Sequence, residues 1–121
     1  MQCRIERQKC RRKKRTQDIP GTILTDSRQS DRRRDLDNDL TKEFVTSLIA
    51  NGCLYCGETK SRMTLDRIDN KIGHLQTNVV PACKQCNLIR RDMPYMAWLV
   101  VVEGVKKAKR QGLFNTWKLF Q

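Results

Sequence analysis

Two C-x-x-C pairs, Cys53-Leu54-Tyr55-Cys56 and Cys83-Lys84-Gln85-Cys86, have the spacing of metal-binding turns. Together they can supply the four thiolates of a closed tetrahedral zinc site, with sulfurs about 2.3 Å from the ion. Such a metal organises the chain and does not itself react. Between and beside the pairs lie groups that suit a harder cation. Asp66 stands in Leu65-Asp66-Arg67-Ile68-Asp69-Asn70, and Asn87 follows the last cysteine directly. If all four cysteines share one ion, a carboxylate and a carboxamide far apart in sequence are brought together. Oxygen donors of this kind suit Mg²⁺ or Mn²⁺, and Mg²⁺ keeps much of its shell for water and phosphate. A cation in that position would neutralise the charge that develops on a phosphodiester under attack and on its leaving 3′ oxygen.

The six cysteines are even in number, as a disulfide framework would require. No secretory segment accompanies them, however, and the repeated C-x-x-C favours metal in a reducing compartment. Cys3 and Cys10 lie in the basic N-terminal region with no histidine near them, and read as free thiols.

At 121 residues the chain has room for one small domain with extensions. Apolar residues make up 38% and aromatic residues 6%, so the core is modest and a metal cross-link would help to hold it. Lys and Arg number 25 against 13 Asp and Glu, a formal charge of +12, which points to a polyanion as partner. The excess is uneven: residues 1–34 carry 12 Lys/Arg against 4 Asp/Glu, and the remainder 13 against 9. Residues 1–38 therefore read as a basic, flexible arm and linker, and 39–121 as the folded domain. The run Lys9-Cys10-Arg11-Arg12-Lys13-Lys14-Arg15 repels itself and is expected to stay disordered until phosphates neutralise it. A nuclear-localisation signal or a solvated tail would look similar. No apolar run has the length of a signal core or a membrane span, so the expectation is a cytoplasmic protein associated with nucleic acid and not with a membrane.

The elements that must position the candidate residues can be read from periodicity. Leu40, Phe44, Val45, Leu48 and Ile49 share one face of a helix that Asp39 or Thr41 can cap and Asn51-Gly52 can end. Residues 63–68 alternate as a short strand, 69–73 turn, and 78–81 resume strand character, giving a hairpin with a long loop. A short helix over 85–92 and a second one from Pro94 to Gln111, stopped by Gly112, complete the domain. Trp98, Phe114, Trp117 and Phe120 are expected in the core, with residues 113–120 folding back on it.

Taken in order, Cys53-x-x-Cys56-Gly57, Leu65 to Asn70, Gly73-His74, Asn78-Val79-Val80-Pro81-Ala82-Cys83 and Cys86-Asn87 resemble the HNH, or His-Me finger, endonucleases. The small zinc-bearing members of phages and mobile introns are the most similar. The resemblance covers about half the chain. It implies an α+β fold with a ββα-metal core, a four-cysteine structural zinc, flanking helices and a basic N-terminal arm. It also implies hydrolysis of DNA, most naturally double-stranded, by one divalent cation held by Asp66 and Asn87, with Asn78 fixing the loop. A single such site would nick one strand.

One position departs from the family pattern. The general-base histidine that should follow the acid is Arg67, whose guanidinium keeps its proton at neutral pH. Arg67 reads better as a bidentate phosphate clamp. His74, the chain's one histidine, has the ordinary pKa for a base, although a histidine in a Gly-His turn is also common on surfaces. Asp69 reads first as a turn residue. Arg62, Lys71, Lys84, Arg90 and Arg91 surround the motifs as possible phosphate contacts, and the 106–110 cluster equally suits a helix C-terminus. The alternative function is a zinc-stabilised nucleic-acid-binding module that cleaves weakly or not at all.

Overall fold

The structure is a computed structural model that describes residues 4–118, apart from the side chains of Lys14 and Thr16. Its elements in chain order are α1 (Arg4–Gln17), α2 (Ile19–Arg33), α3 (Lys42–Ile49), β1 (Met63–Arg67), β2 (Val79–Cys83), α4 (Lys84–Arg90) and α5 (Tyr95–Arg110). The two strands pair antiparallel, Met63 with Cys83 through Arg67 with Val79, and α4 leaves directly from the end of β2. This is a ββα unit with helices around it.

The hairpin is divided between two cores. At one end Met63, Ala82, Cys83 and Cys86 pack with Cys53, Tyr55 and the buried face of α5, namely Trp98, Val102 and Val105. At the other end Leu65 and Val79 pack with Leu40, Val45 and Leu24. Trp98 is fully buried and meets the Tyr55 ring edge-on, with centroids 5.3 Å apart. Local chemistry starts the helices where the sequence suggests. The Thr41 hydroxyl accepts from Phe44 N–H at the start of α3, and Pro94 precedes α5.

Within the stretch read as flexible arm and linker, the described residues include helices α1 and α2. Residues 19–33 form a helix, begun by the Asp18 carboxylate accepting from Gly21 N–H and by Pro20 in its first turn, where a missing N–H costs nothing. The stretch looked like linker because its buried face is mostly polar: Thr22, Ser27 and Asp31 lie inward together with Leu24. Each of the three finds a partner. Thr22 Oγ1 donates to Arg15 O, Ser27 Oγ donates to Leu24 O, and Asn38 Nδ2 donates to both Ser27 Oγ and Asp31 Oδ2. The basic run lies in helix α1, which is tied to α2 by the Arg15–Asp26 ion pair at 2.9 Å. The placing of Trp117 in the core is corrected: the residue is 45% exposed, with its ring tilted against that of Phe114. Cys3, Leu119 and Phe120 lie outside the described residues.

Leu24 is the one buried apolar side chain of α2, with Ile23 partly buried beside it, so Leu24→Ala is expected to destabilise the protein by about 2 kcal/mol. A urea melt followed by circular dichroism measures this.

Candidate functional site

The four sulfurs of Cys53, Cys56, Cys83 and Cys86 lie within 4.8 Å of one another. A tetrahedral site with zinc–sulfur bonds of about 2.3 Å has sulfur–sulfur edges of about 3.8 Å. The Cys56–Cys83 separation is 3.7 Å, so this donor set fits zinc. The local backbone explains the convergence. Leu54 N–H donates to Pro81 O and lays the first C-x-x-C turn on β2, while Cys83 ends that strand and accepts from Cys86 N–H as the cap of α4. Without a cation the thiols compete for protons. Contacts from Cys83 and Cys86 drive Cys53 below its ordinary value, and the contact with Cys53 pushes Cys83 up to about 11. Lys109 Nζ, on α5, lies 3.1 Å from Cys56 Sγ and 3.9 Å from Cys83 Sγ and offsets part of the thiolate charge.

The cysteine turn reaches the acid through Tyr55. Asp66 is 3% exposed, and its Oδ2 accepts from the Tyr55 hydroxyl in a short hydrogen bond. Its Oδ1 accepts from Arg90 Nη1 at 2.6 Å. Arg90 is the most tightly held cation described. It also donates to Arg67 O, Ile68 O and Met93 O, and lies 5.1 Å from the centre of the Tyr95 ring. The reading of Arg90 as a phosphate contact is therefore corrected: its guanidinium is buried and committed to the corner between β1 and α5. Burial, with Asp66 beside it, raises the Tyr55 hydroxyl above its ordinary value, so it stays protonated and donates.

Asn87 sits on α4 against the same strand. Its Nδ2 donates to Thr64 Oγ1 at 2.9 Å and Leu65 O at 3.2 Å, which fixes the amide and leaves Oδ1 as its unengaged end. Asp66 and Asn87 thus border the same stretch of β1. Each carboxylate oxygen of Asp66 has one protein partner and retains a second lone pair, so the donor chemistry admits a hard cation.

The long hairpin loop is ordered from within by Asn78. Its Oδ1 accepts from Asp69 N–H, and its Nδ2 donates to Asp69 O, Ile72 O and Gly73 O. Asp69 itself accepts from Lys71 N–H, a turn interaction. Arg67 Nη1 donates to Asn70 O and Ile72 O, both at 3.0 Å, so its guanidinium is tethered to the loop. Gly73 passes under residues 36–37 so closely that a Cβ there would lie 1.9 Å from Asp37 O. Only glycine fits.

That close passage seats His74 on α2. Asp31, 1% exposed, accepts from His74 N–H with Oδ2 at 2.9 Å and faces Nδ1 with Oδ1 at 3.0 Å. A carboxylate is an acceptor only, so Nδ1 carries the proton and the lone pair of a neutral ring is on Nε2. Burial lowers the pKa of His74 more than Asp31 raises it, and the neighbouring Arg67 and Arg34 add to the lowering. The ring is therefore neutral at neutral pH. It lines a cavity of about 310 Å³ between α2 and the hairpin, together with Ser27, Ser30, Arg62, Thr64 and Lys84. Asp31, Tyr55 and Arg34 were not singled out from sequence. Tyr55 lies inside the first C-x-x-C, but nothing in its spacing says where its hydroxyl goes.

Removing the metal with a chelator is expected to unfold the Cys53–Cys56 turn and the β2–α4 junction together, since their geometry is set by the four sulfurs. The check is loss of near-ultraviolet dichroism from Tyr55 and Trp98 in step with zinc release. A second expectation concerns pH. The folded-state pKa of His74 is depressed, so its contribution to stability is present above about pH 6.5 and is lost as pH falls through the folded value. Urea midpoints measured from pH 7.5 to 5 should fall for the parent protein and fall less for His74→Gln.

No family model matches the chain. A stretch of 69 residues is 32% identical to an uncharacterized protein of Acanthamoeba polyphaga mimivirus, covering 54% of this chain and 13% of the viral protein. The rare-cutting HNH restriction endonuclease PacI superposes with a TM-score of 0.64 at 18% identity, over 76% of this chain and 80% of that one. No helix among the described residues is long and apolar enough to cross a membrane. The fold is thus α+β and similar to that of the HNH endonuclease PacI, a ββα core with flanking helices and four cysteines positioned for a metal ion.

Proposed function

We infer that the chain is a divalent-metal-dependent DNA endonuclease in which His74 is the general base. The observation that carries this reading is the Asp31–His74 pair. A buried carboxylate holds the ring by Nδ1, burial keeps it neutral with Arg67 and Arg34 acting in the same direction, and the ring borders a cavity. Arg67 cannot accept a proton, so a base supplied from the loop accounts for its presence after Asp66. Asp66 and Asn87 would hold Mg²⁺ or Mn²⁺, which when bound offsets charge on the phosphate and the leaving oxygen. His74 Nε2 takes a proton from the attacking water as the new phosphorus–oxygen bond forms and the bond to the 3′ oxygen breaks. Asp31 stabilises the imidazolium that results. Arg67, tethered through Nη1, keeps its other guanidinium nitrogens for phosphate oxygens. Asn78 holds the loop that carries His74, and zinc in the cysteine cage keeps strand and helix in register. Double-stranded DNA is the substrate this reading favours, nicked once per site.

A second reading has its own support. Asp66 already has a structural explanation in Arg90 and Tyr55, as a non-cleaving, zinc-stabilised DNA-binding module would require.

Supercoiled-plasmid nicking by the zinc-loaded protein, with Mg²⁺, with Mn²⁺ and with no added divalent ion, separates the two. The endonuclease nicks only with added ion, at a rate that falls as pH drops and His74 takes up a proton. His74→Ala should lower kcat by about 10²-fold or more with DNA affinity retained. Asp31→Asn can donate to Nδ1 and move the ring proton to Nε2, so it should lower kcat on the same scale and leave KM nearly unchanged. Absence of metal-dependent nicking between pH 6 and 9, with duplex binding intact, favours the module.

A further inference from the structure

Beyond the His74 cavity lies a second concavity of about 440 Å³, lined by Arg34, Arg67, Asn70, Arg91 and Asp92. Three guanidinium groups reach it from three places: the end of α2, the end of β1 and the end of α4. We propose that Arg34 and Arg91, with Arg67, form a subsite for one backbone phosphate of the bound nucleic acid, adjacent to the phosphate under attack. The proposal rests on the phosphodiesterase reading for its second half, the adjacency, and on the geometry of the concavity for its first.

Three arginines and one aspartate give the lining a formal charge of +2. Neither Arg34 nor Arg91 has an ion-pair partner among the described residues, although Asp92 shares the concavity. Like charges gathered without partners repel one another, and an anion with several acceptor oxygens relieves that repulsion. Planar guanidinium forks match phosphate oxygens in pairs, and Arg67 is pre-positioned by the carbonyls of Asn70 and Ile72. The wall opposite is fixed too, because Asn70 Nδ2 donates to Asp92 O and joins the hairpin loop to the α4–α5 corner.

The backbone of Arg91 adds an independent observation. It has φ 54° and ψ −125°, a conformation that favours glycine, yet the residue is an arginine at the point where its side chain enters the concavity. Strain of this kind is concentrated at functional positions. A single phosphodiester, with charge −1, leaves the lining net positive and so suits a chain of phosphates that continues past it. Arg34 also connects the subsite to the first cavity, since it acts electrostatically on both Arg67 and His74.

The test is duplex binding measured by fluorescence anisotropy with a labelled 20-base-pair DNA. Parent protein, Arg34→Gln, Arg91→Gln, the double variant and Arg33→Gln are titrated from 50 to 300 mM KCl, zinc-loaded and without Mg²⁺. Arg33 is exposed on the same helix and does not line the concavity. If both arginines grip one phosphate, the double variant should lose about 0.9 from the slope of log K against log salt, close to what each single variant loses. Arg33→Gln should lose less than either. Two separate contacts would instead cost the double variant about 1.8, and that result overturns the shared subsite. So does a double variant with the slope of Arg33→Gln, or a parent protein that does not bind the duplex. Nicking assays in parallel keep the two readings distinct. Slope loss in a protein that never nicks preserves the subsite and sinks the endonuclease, whereas nicking with an unchanged slope and KM in the double variant does the reverse.

Discussion

Four sulfurs drawn within 4.8 Å of one another are the constraint on which the rest of the molecule depends. Thiolates at that separation repel one another unless a cation lies among them, and the chain has few large apolar side chains with which to force them together. With an ion bound, the first C-x-x-C turn is pinned to β2, and Cys83 can end the strand, ligate metal and cap α4 at once. Tyr55 carries the constraint onward, because its ring packs on Trp98 and its hydroxyl reaches Asp66. Asp66 is then fixed by Arg90, a buried cation whose remaining donors hold the end of β1 and the start of α5. Buried pairs of this kind are costly to break one partner at a time, by roughly 3–5 kcal/mol. The same acid is therefore both a proposed cation ligand and part of the scaffold, and its replacement reports on both at once.

Much of the ββα unit was legible in the sequence, because its signals are local. The alternation of 63–67, the cysteine spacing, the apolar stripe of α3 and the Pro94 and Gly112 boundaries of α5 each follow from a few adjacent residues. Helix α2 was not legible, since its inward face is built from Thr22, Ser27 and Asp31, and polar residues reveal burial only when their partners are known. For Asp31 one such partner lies far along the chain, because it meets His74 across 43 positions. The two fates of arginine show the same limit. Arg90 and Arg91 are neighbours of identical type, yet one is sealed under Tyr95 and the other is exposed on a strained backbone. Side-chain chemistry named the candidates, and only packing separated the structural cation from the available one.

Among the residues given roles in the site, Arg67 and His74 come from the hairpin loop side and Arg34 and Asp31 from α2, while Asn87 and Arg91 come from α4 and its end. The hairpin between them belongs to two cores, one gathered around the cysteines and one around Leu24, Leu40 and Val45.

Gly73, passing beneath Asp37 with no room for a methyl group, gives this division a mechanical meaning. The histidine is pressed into place from the flank, by a helix that the sulfur knot does not reach. Loosening that flank would release the imidazole while the knot stayed tied, so the proposed base and the cysteine cage are held in place by separate parts of the protein.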